Sequence, residues 1–200
     1  MEPTAICISA VLERCGLQAG EAVVIAGPGP IGLISLALAK ASGVRVAGIL
    51  GRSSAEGIRF EKAKELGADF IVNIDREDPV KKVLEVTEGR GVDMLIETSG
   101  GEQAISQAFE MVRRLGRVCA MGVSGKPQVS IPYDRGVFKG IRYDFCFSSS
   151  WTSWERGLGM ISKGLLPVEK LITHKLPLEG WEEAFRLLES RQAAKVILIP

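Results

Sequence analysis

The sequence contains few residues that could hold a metal ion. It has one histidine and four cysteines, and no C-x-x-C pair occurs among Cys7, Cys15, Cys119 and Cys146. The common zinc sites need such pairs or several histidines, so their spacings cannot be built here. If residues 4–15 are helical, Cys7 and Cys15 lie about 12 Å apart, which is too far for a disulfide. We therefore expect reduced, mostly buried thiols, as in a cytoplasmic protein.

An excess of charge of either sign is also missing. The 200 residues include 25 basic and 24 acidic ones, for a formal net charge of +1, without a dense run of Lys and Arg. We therefore expect neither nucleic acid nor an anionic membrane as a partner. Residues 1–16 show no basic leader and no small-residue cleavage site. We expect no signal peptide and a cytoplasmic location.

One uncharged stretch, residues 22–39, is broken in the middle by Gly27, Pro28, Gly29 and Pro30. A membrane-spanning helix needs about 20 apolar residues without such a break. The run AVVIA before the break is short and β-branched, and Pro30 stands at a typical first helical position. The stretch therefore predicts a buried strand, a tight turn and a helix that ends near Gly43, and no membrane span.

Gly27, Gly29 and Gly32 form a G-x-G-x-x-G motif between this strand and this helix. The first glycine permits the tight turn, the second lets a pyrophosphate approach the backbone, and the third lets the helix pack closely on the strand. The helix N-terminus offers unpaired N–H groups and a partial positive charge to phosphates. The motif indicates a dinucleotide site, and a glycine-rich turn that binds nothing is the alternative.

Short apolar runs alternate with polar, helix-like segments along the rest of the chain. Further strands are expected at 45–51, 69–74, 92–100, 117–125 and 140–150, and helices at 53–68, 78–91, 101–116 and 151–164. This alternation predicts an α/β fold with a doubly wound, parallel six-stranded sheet of the Rossmann type. Ligands of such sheets bind at the carboxyl ends of the strands. A tail with a helix at 178–189 and a last strand at 195–200 breaks the alternation.

The end of the second strand indicates which dinucleotide is favoured. Enzymes that use NAD carry an acidic residue about 20 residues past the glycines, where it binds the ribose 2′-hydroxyl. Here that place holds Gly51, Arg52 and Ser53, with no acid before Glu56. A guanidinium can pair with a 2′-phosphate and stack on adenine. We expect NADP(H) to be favoured over NAD(H), although a solvated arginine at a helix start would look the same.

Several segments together resemble a known family. They are EP near the start, AGPGPIGL, EKAKELGAD, ETSG, THKLPLEGWEEAF and AAKVILIP. They resemble the zinc-dependent medium-chain alcohol dehydrogenases, in the branch of the polyol and threonine dehydrogenases, over essentially the whole chain. The resemblance implies hydride transfer between a secondary alcohol and a nicotinamide cofactor, with the alcohol activated by zinc. Where polyol dehydrogenases often have Arg-Tyr, this chain has Cys146-Phe147, which argues against a sorbitol-like substrate.

The resemblance also implies a domain organisation. Family members carry a catalytic domain that supplies the zinc ligands, and these residues do not include it. We expect an N-terminal connecting helix at 1–18, a dinucleotide-binding Rossmann domain at 19–165, and a C-terminal segment of the otherwise missing catalytic domain at 166–200. Zinc is expected only in an intact parent protein, and no catalytic residue is implied within this chain.

Carried over residue by residue, the resemblance implies a set of cofactor contacts. The pyrophosphate turn matches Gly27, Gly29, Pro30, Ile31 and Gly32, and the adenosine-ribose site matches Gly51, Arg52 and Ser53. The family's strand ends beside the ribose and nicotinamide match Thr98, Ser99, Gly100, Gly122 and Val123. Ser148 matches the segment that borders the nicotinamide carboxamide. Glu2 matches an acid close to zinc in the polyol branch, and His174 is expected to be structural.

Three functions remain open on the sequence. The first is the NAD(P)-binding portion of a zinc-type alcohol or polyol dehydrogenase, inactive alone. The second is a stand-alone dinucleotide-binding module. The third is part of a zinc-independent quinone or enoyl reductase. Glu2 argues against the last, because that acid belongs to the zinc branch. An uncovered apolar tail and a sheet edge at RYDFCFS predict a homodimer through that edge.

Overall fold

Six parallel strands form the central sheet, in the order β3-β2-β1-β4-β5-β6. The computed structural model describes residues 1–200. The strands are β1 Ala22–Ala26, β2 Val46–Gly51, β3 Phe70–Asn73, β4 Val92–Glu97, β5 Val112–Ala120 and β6 Arg142–Phe145. The predicted α/β fold with a doubly wound six-stranded sheet is confirmed.

Helices cover both faces of this sheet. They are α1 Glu2–Ile8 with a π-helical continuation at Ser9–Arg14, α2 Pro30–Ala41, α3 Ile58–Glu65, α4 Pro79–Val86, α5 Glu102–Met111, α6 Tyr133–Lys139, α7 Trp151–Ser162 and α8 Trp181–Glu189. None of these helices is both long and apolar enough to cross a membrane.

The central strand β1 is buried along its whole length, because it lies between β2 and β4 under helices on both sides. Val23 and Ile25 point into the core layer beneath α1 and α2, whereas Val24 points into the layer beneath α4 and α5. A strand buried on both faces needs apolar residues at every position, which explains the run AVVIA. Val24 pairs with Gly48 of β2 and with Leu95 of β4.

The predicted helices are shorter in the structure, and two of them have a clear reason. Helix α5 was expected to reach residue 116 but ends at Met111, and the chain enters β5 directly. The Nζ atom of Lys139 donates to the carbonyls of Phe109, Glu110 and Val112 at distances of 2.7 to 2.9 Å, which satisfies the end of the helix. The helix expected from residue 53 becomes a short 3₁₀ turn and α3, because Gly57 adopts a φ of 77° between them.

The C-terminal tail forms a second, two-stranded parallel sheet from β7 Ile172–Pro177 and β8 Lys195–Ile199. Leu166, Leu171 and Ala194 of the tail belong to the core layer beneath α1 and α2. Leu178, Trp181, Phe185 and Leu188 have at least a third of their surface exposed. The tail is therefore anchored to the main sheet through one side and presents apolar side chains on another.

Candidate dinucleotide-binding site

A cleft of about 510 Å³ opens at the carboxyl ends of β1, β2 and β4. It lies where the strand order reverses, since β2 and β3 extend to one side of β1 and β4 to β6 to the other. In open parallel sheets ligands bind at this switch point. Six residues proposed from the sequence line the cleft together: Gly27, Gly29, Gly51, Arg52, Thr98 and Ser99.

The three glycines of the turn differ in what a side chain would meet at each position. Gly27 has a φ of 109°, a conformation that residues with a side chain rarely adopt. A Cβ atom on Gly32 would lie 1.8 Å from the Gly27 carbonyl oxygen, so this position allows close packing of α2 on the turn. A Cβ on Gly29 would meet no protein atom within 4 Å. The fold therefore requires the outer two glycines, whereas at Gly29 it leaves open space on the cleft side.

Backbone donors at the start of α2 have no partner within the helix. Pro30 occupies the first position and has no N–H, and Leu33 N is bonded to Gly29 O at 2.9 Å. The N–H groups of Ile31 and Gly32 precede that bond and therefore have no intrahelical acceptor. No side chain caps this end, and its first turn contains no acidic residue. These donors are available to an anion in the cleft.

The wall opposite this helix is the turn Thr98 to Gly100, which follows β4. The Thr98 hydroxyl donates to the carbonyls of Ala26 and Gly27, at 2.9 and 3.0 Å, and so ties this turn to the glycine turn. A Cβ on Gly100 would lie 2.2 Å from the Val123 carbonyl oxygen, so the ends of β4 and β5 are in direct contact. Gly100 and Val123 are therefore neighbours, and their predicted contact with a cofactor stays a prediction.

Glu97 is a buried acid that the sequence reasoning missed. It has no exposed surface, and its carboxylate accepts from Ser99 N at 2.8 Å, Ser99 Oγ at 2.5 Å and Gly100 N at 3.1 Å. Nearby, burial and the Glu97 charge raise the pKa of Tyr143 to about 12. The signal was a second acidic residue, after Asp93, at the end of the buried strand VDMLIE. Glu97 holds the turn that carries Thr98 and Ser99.

Arg52 lies at the predicted adenosine end, next to an acid that comes from a different strand. Its Nε is 3.5 Å from Asp75 Oδ1, and Asp75 Oδ2 accepts the Ser53 N–H at 2.8 Å. The Ser53 N–H and Arg52 lower the pKa of Asp75 and keep it ionised. A 2′-phosphate would compete with Asp75 for Arg52. The acid beside Arg52 therefore comes from the chain after β3, and it is not part of the cleft lining.

Two further arginines line this end of the cleft, and the sequence patterns did not single them out. Arg59 comes from α3 and Arg191 from the segment after α8, where Arg191 donates to Ser54 Oγ. Burial and the charge of Arg191 lower the pKa of Arg59. The buried Nε of Arg59 has no hydrogen-bond partner, although its Nη2 donates to Ala193 O at 3.4 Å. Positive charge is thus concentrated beside Arg52.

The remaining predicted residues lie outside this cleft. Gly122 lines a second, mostly apolar cavity of about 550 Å³ between α5, α6 and β6. Val123 is 81% exposed, and Ser148 is exposed with a φ of 68°. Pro30, Ile31, Gly32 and Ser53 are not part of the cleft lining, although the first three follow Gly29 in the chain and Ser53 lies between Arg52 and Ser54, which do line it. The Nδ1 atom of His174 lies 3.0 Å from Thr173 Oγ1, within the small sheet of the tail.

A catalytic zinc does not fit the residues of this chain. No Cys or His lines the cleft, and Glu102 is the only acid there. Glu2 is exposed at the start of α1 and belongs to no group of three ligating side chains. The one such group is formed by Cys15, Cys119 and Cys146, none of which lines the cleft. The family's zinc chemistry therefore cannot be assigned to side chains described here.

The sheet order, the glycine turn and the cleft at the switch point define a Rossmann-type fold of the cofactor-binding class. A family profile described as zinc-binding dehydrogenase matches residues 30–163, more than half of the chain. The chain belongs to the zinc-binding dehydrogenase family. The family resemblance seen in the sequence is thereby confirmed.

Individual relatives agree with this family. The chain is 34% identical over 200 residues to the L-threonine 3-dehydrogenase of Bacillus licheniformis, covering 100% of this chain and 56% of the relative. Among solved structures, an alcohol dehydrogenase from Thermus sp. ATN1 superposes with a TM-score of 0.91 at 30% identity, over 98% of this chain and 57% of the other. A zinc-binding dehydrogenase from Sinorhizobium meliloti bound to NADP has a TM-score of 0.86 at 26% identity, over 100% and 58%. The chain spans about half the length of the relatives it matches.

Proposed function

We propose that this chain is the NAD(P)-binding portion of a zinc-type alcohol or polyol dehydrogenase and is inactive alone. The observation that carries the proposal is the cleft at the switch point, with the open face of Gly29 beside the free N–H groups of Ile31 and Gly32. A pyrophosphate in that place would accept from those groups, and the positive end of α2 would stabilise its charge. In the intact enzyme, zinc would polarise a secondary alcohol and the nicotinamide would take its hydride.

We further propose NADP(H) as the preferred cofactor. Arg52, Arg59 and Arg191 surround the adenosine end of the cleft, and the unpartnered Nε of Arg59 lies among them. A 2′-phosphate would offset the mutual repulsion of these three guanidinium groups, and it would draw Arg52 away from Asp75. The NADP bound to the relative from Sinorhizobium meliloti supports the same choice.

Calorimetric titration with NADPH and NADH tests the cofactor preference. We expect NADPH to bind more tightly, and Arg191→Gln to weaken NADPH by about tenfold, since one charge-assisted hydrogen bond is lost. NADH affinity should stay within about twofold, because NADH has no phosphate at this place. Arg114→Gln is the matched control: Arg114 is exposed and lies outside the cleft lining. Tighter binding of NADH than of NADPH by the unaltered chain would contradict the preference.

A stand-alone dinucleotide-binding module is the second candidate, supported by the absence of Cys and His from the cleft lining. Both candidates predict nucleotide binding without turnover by residues 1–200. The measurement is reduction of NADP⁺ with a panel of secondary alcohols, on purified protein of known metal content. Robust turnover would contradict both. An in-frame catalytic domain encoded upstream of Met1 would favour the dehydrogenase portion over the module.

We also propose that two copies associate through the edge of the main sheet. Strand β6 is the edge strand, and Phe145 and Phe147 are 76% and 86% exposed there. Pairing of two β6 edges would continue the sheet and cover these rings. Light scattering at high concentration measures the mass, and a monomer would contradict this proposal.

A further inference from the structure

Three cysteines from distant parts of the chain meet beside β5. Cys119 lies within β5, Cys146 follows β6, and Cys15 ends the π-helical turn after α1. The sulfur of Cys146 is 3.8 Å from that of Cys15 and 4.0 Å from that of Cys119, and all three lie within 4.8 Å of one another. Their exposed fractions are 1%, 0% and 9% for Cys15, Cys119 and Cys146. We call this group the thiol triad.

These distances match a triangle of thiolates around one metal ion. Metal–sulfur bonds of about 2.3 Å in a planar, three-coordinate arrangement place the sulfurs about 4.0 Å apart. Disulfide-bonded sulfurs lie only about 2.05 Å apart, so the triad is spaced for an ion between the sulfurs rather than for a bond. The fourth cysteine, Cys7, is not part of the group, and its sulfur accepts from Ser35 Oγ.

Three arginines lie around the thiol triad, and two of them are paired with acids, Arg142 with Asp144 and Arg117 with Glu21. Arg14 donates to Phe145 O at 2.9 Å, next to Cys146, and Arg142 donates to Cys15 O at 2.9 Å. Arg117 also donates to Cys15 O, at 2.7 Å. The backbone beside two of the sulfurs is thus held by guanidinium groups, and the charge of Arg14, which forms no ion pair, would offset part of the charge of a metal–thiolate unit.

The number and type of ligands select the ion. Structural zinc is almost always four-coordinate, and no His, Asp or Glu joins the three sulfurs here. Thiolates are soft ligands that favour Cu(I) as well as zinc, and Cu(I) needs no fourth ligand in a trigonal site. We propose that the thiol triad is a three-coordinate Cu(I)-binding site, separate from the dinucleotide cleft. On binding, the thiol protons pass to solvent and three copper–sulfur bonds form, without any change in oxidation state.

The proposal is tested on the full chain, reduced and kept free of oxygen. Titration with Cu(I) against a chromophoric Cu(I) chelator should show one tightly bound ion per chain. X-ray absorption of the copper-loaded protein should show three sulfur neighbours at about 2.3 Å, and this measurement needs no variant. Cys146→Ser should lose the tightly bound ion, Cys7→Ser should retain it, and Arg142→Gln should weaken it by about tenfold.

Several results would overturn the assignment. The chelator could remove all the copper from the protein, or X-ray absorption could show two sulfur neighbours instead of three. Cys146→Ser could retain as much copper as the unaltered chain, or the unaltered chain could bind Zn(II) more tightly than Cu(I). Far-ultraviolet circular dichroism of each variant shows whether a loss of copper reflects unfolding. Loss of copper by a folded Cys146→Ser chain, with Cys7→Ser unaffected, would support the site.

Discussion

Replacing Gly29 by valine is expected to weaken dinucleotide binding by about 100-fold while the fold stays intact. The side chain would occupy the space beside the free N–H groups of Ile31 and Gly32, where no protein atom lies within 4 Å of a Cβ. Losing one or two hydrogen bonds to a charged pyrophosphate costs about 3 kcal/mol, which corresponds to a factor of about 100. Gly29 has a φ of −74° and a ψ of 177°, so a valine fits its backbone without strain.

Calorimetry with NADPH measures the affinity, and thermal unfolding measures the fold. Gly159→Val is the matched control, because a Cβ on Gly159 also meets open space and that residue lies in α7 outside the cleft. Its affinity for NADPH should be unchanged. Unaltered affinity of Gly29→Val would mean that no diphosphate lies against this turn, and the proposed function would fail with it.

The second large effect is expected at Glu97. Glu97→Ala leaves Ser99 N, Ser99 Oγ and Gly100 N without their acceptor, and of these two residues Gly100 is buried whereas Ser99 is exposed. A hydrogen bond to a charged group contributes about 1.5–3 kcal/mol, and a buried unsatisfied donor costs about 1–3 kcal/mol. We expect the free energy of unfolding to fall by about 3 kcal/mol, since the loss of a buried charge offsets part of that sum. NADPH affinity should fall as well, because the turn bearing Thr98 loses its anchor.

Urea denaturation gives the free energies of unfolding. Glu65→Ala serves as the control, since Glu65 is exposed and makes only a surface pair with Lys62 at 2.8 Å. Such pairs contribute about 0–1 kcal/mol. If Glu97→Ala were no less stable than this control, the carboxylate would not be what holds the turn.

Much of the fold was predictable because its signals are local. The buried strand β1, the glycine turn and helix α2 follow one another within twenty residues, and each shows its own periodicity or turn chemistry. Asp78 illustrates this, since it caps α4 by accepting from Val80 N and Lys81 N, two and three residues further along the chain. The end of α5 was wrong by five residues because it depends on Lys139, which reaches it from a different helix.

The sequence by itself determined the strand–turn–helix unit and the alternation that builds the sheet. These features depend on neighbours in the chain and on the chirality of parallel crossovers, so they can be read from order alone. The six predicted residues that meet in the cleft came partly from the glycine motif and partly from the family resemblance. Only the tertiary structure decided that Arg191 lies beside Ser54, 137 positions away, and that Cys15 meets Cys146, 131 positions away. No periodicity records such contacts, because they arise only when separate elements pack against one another.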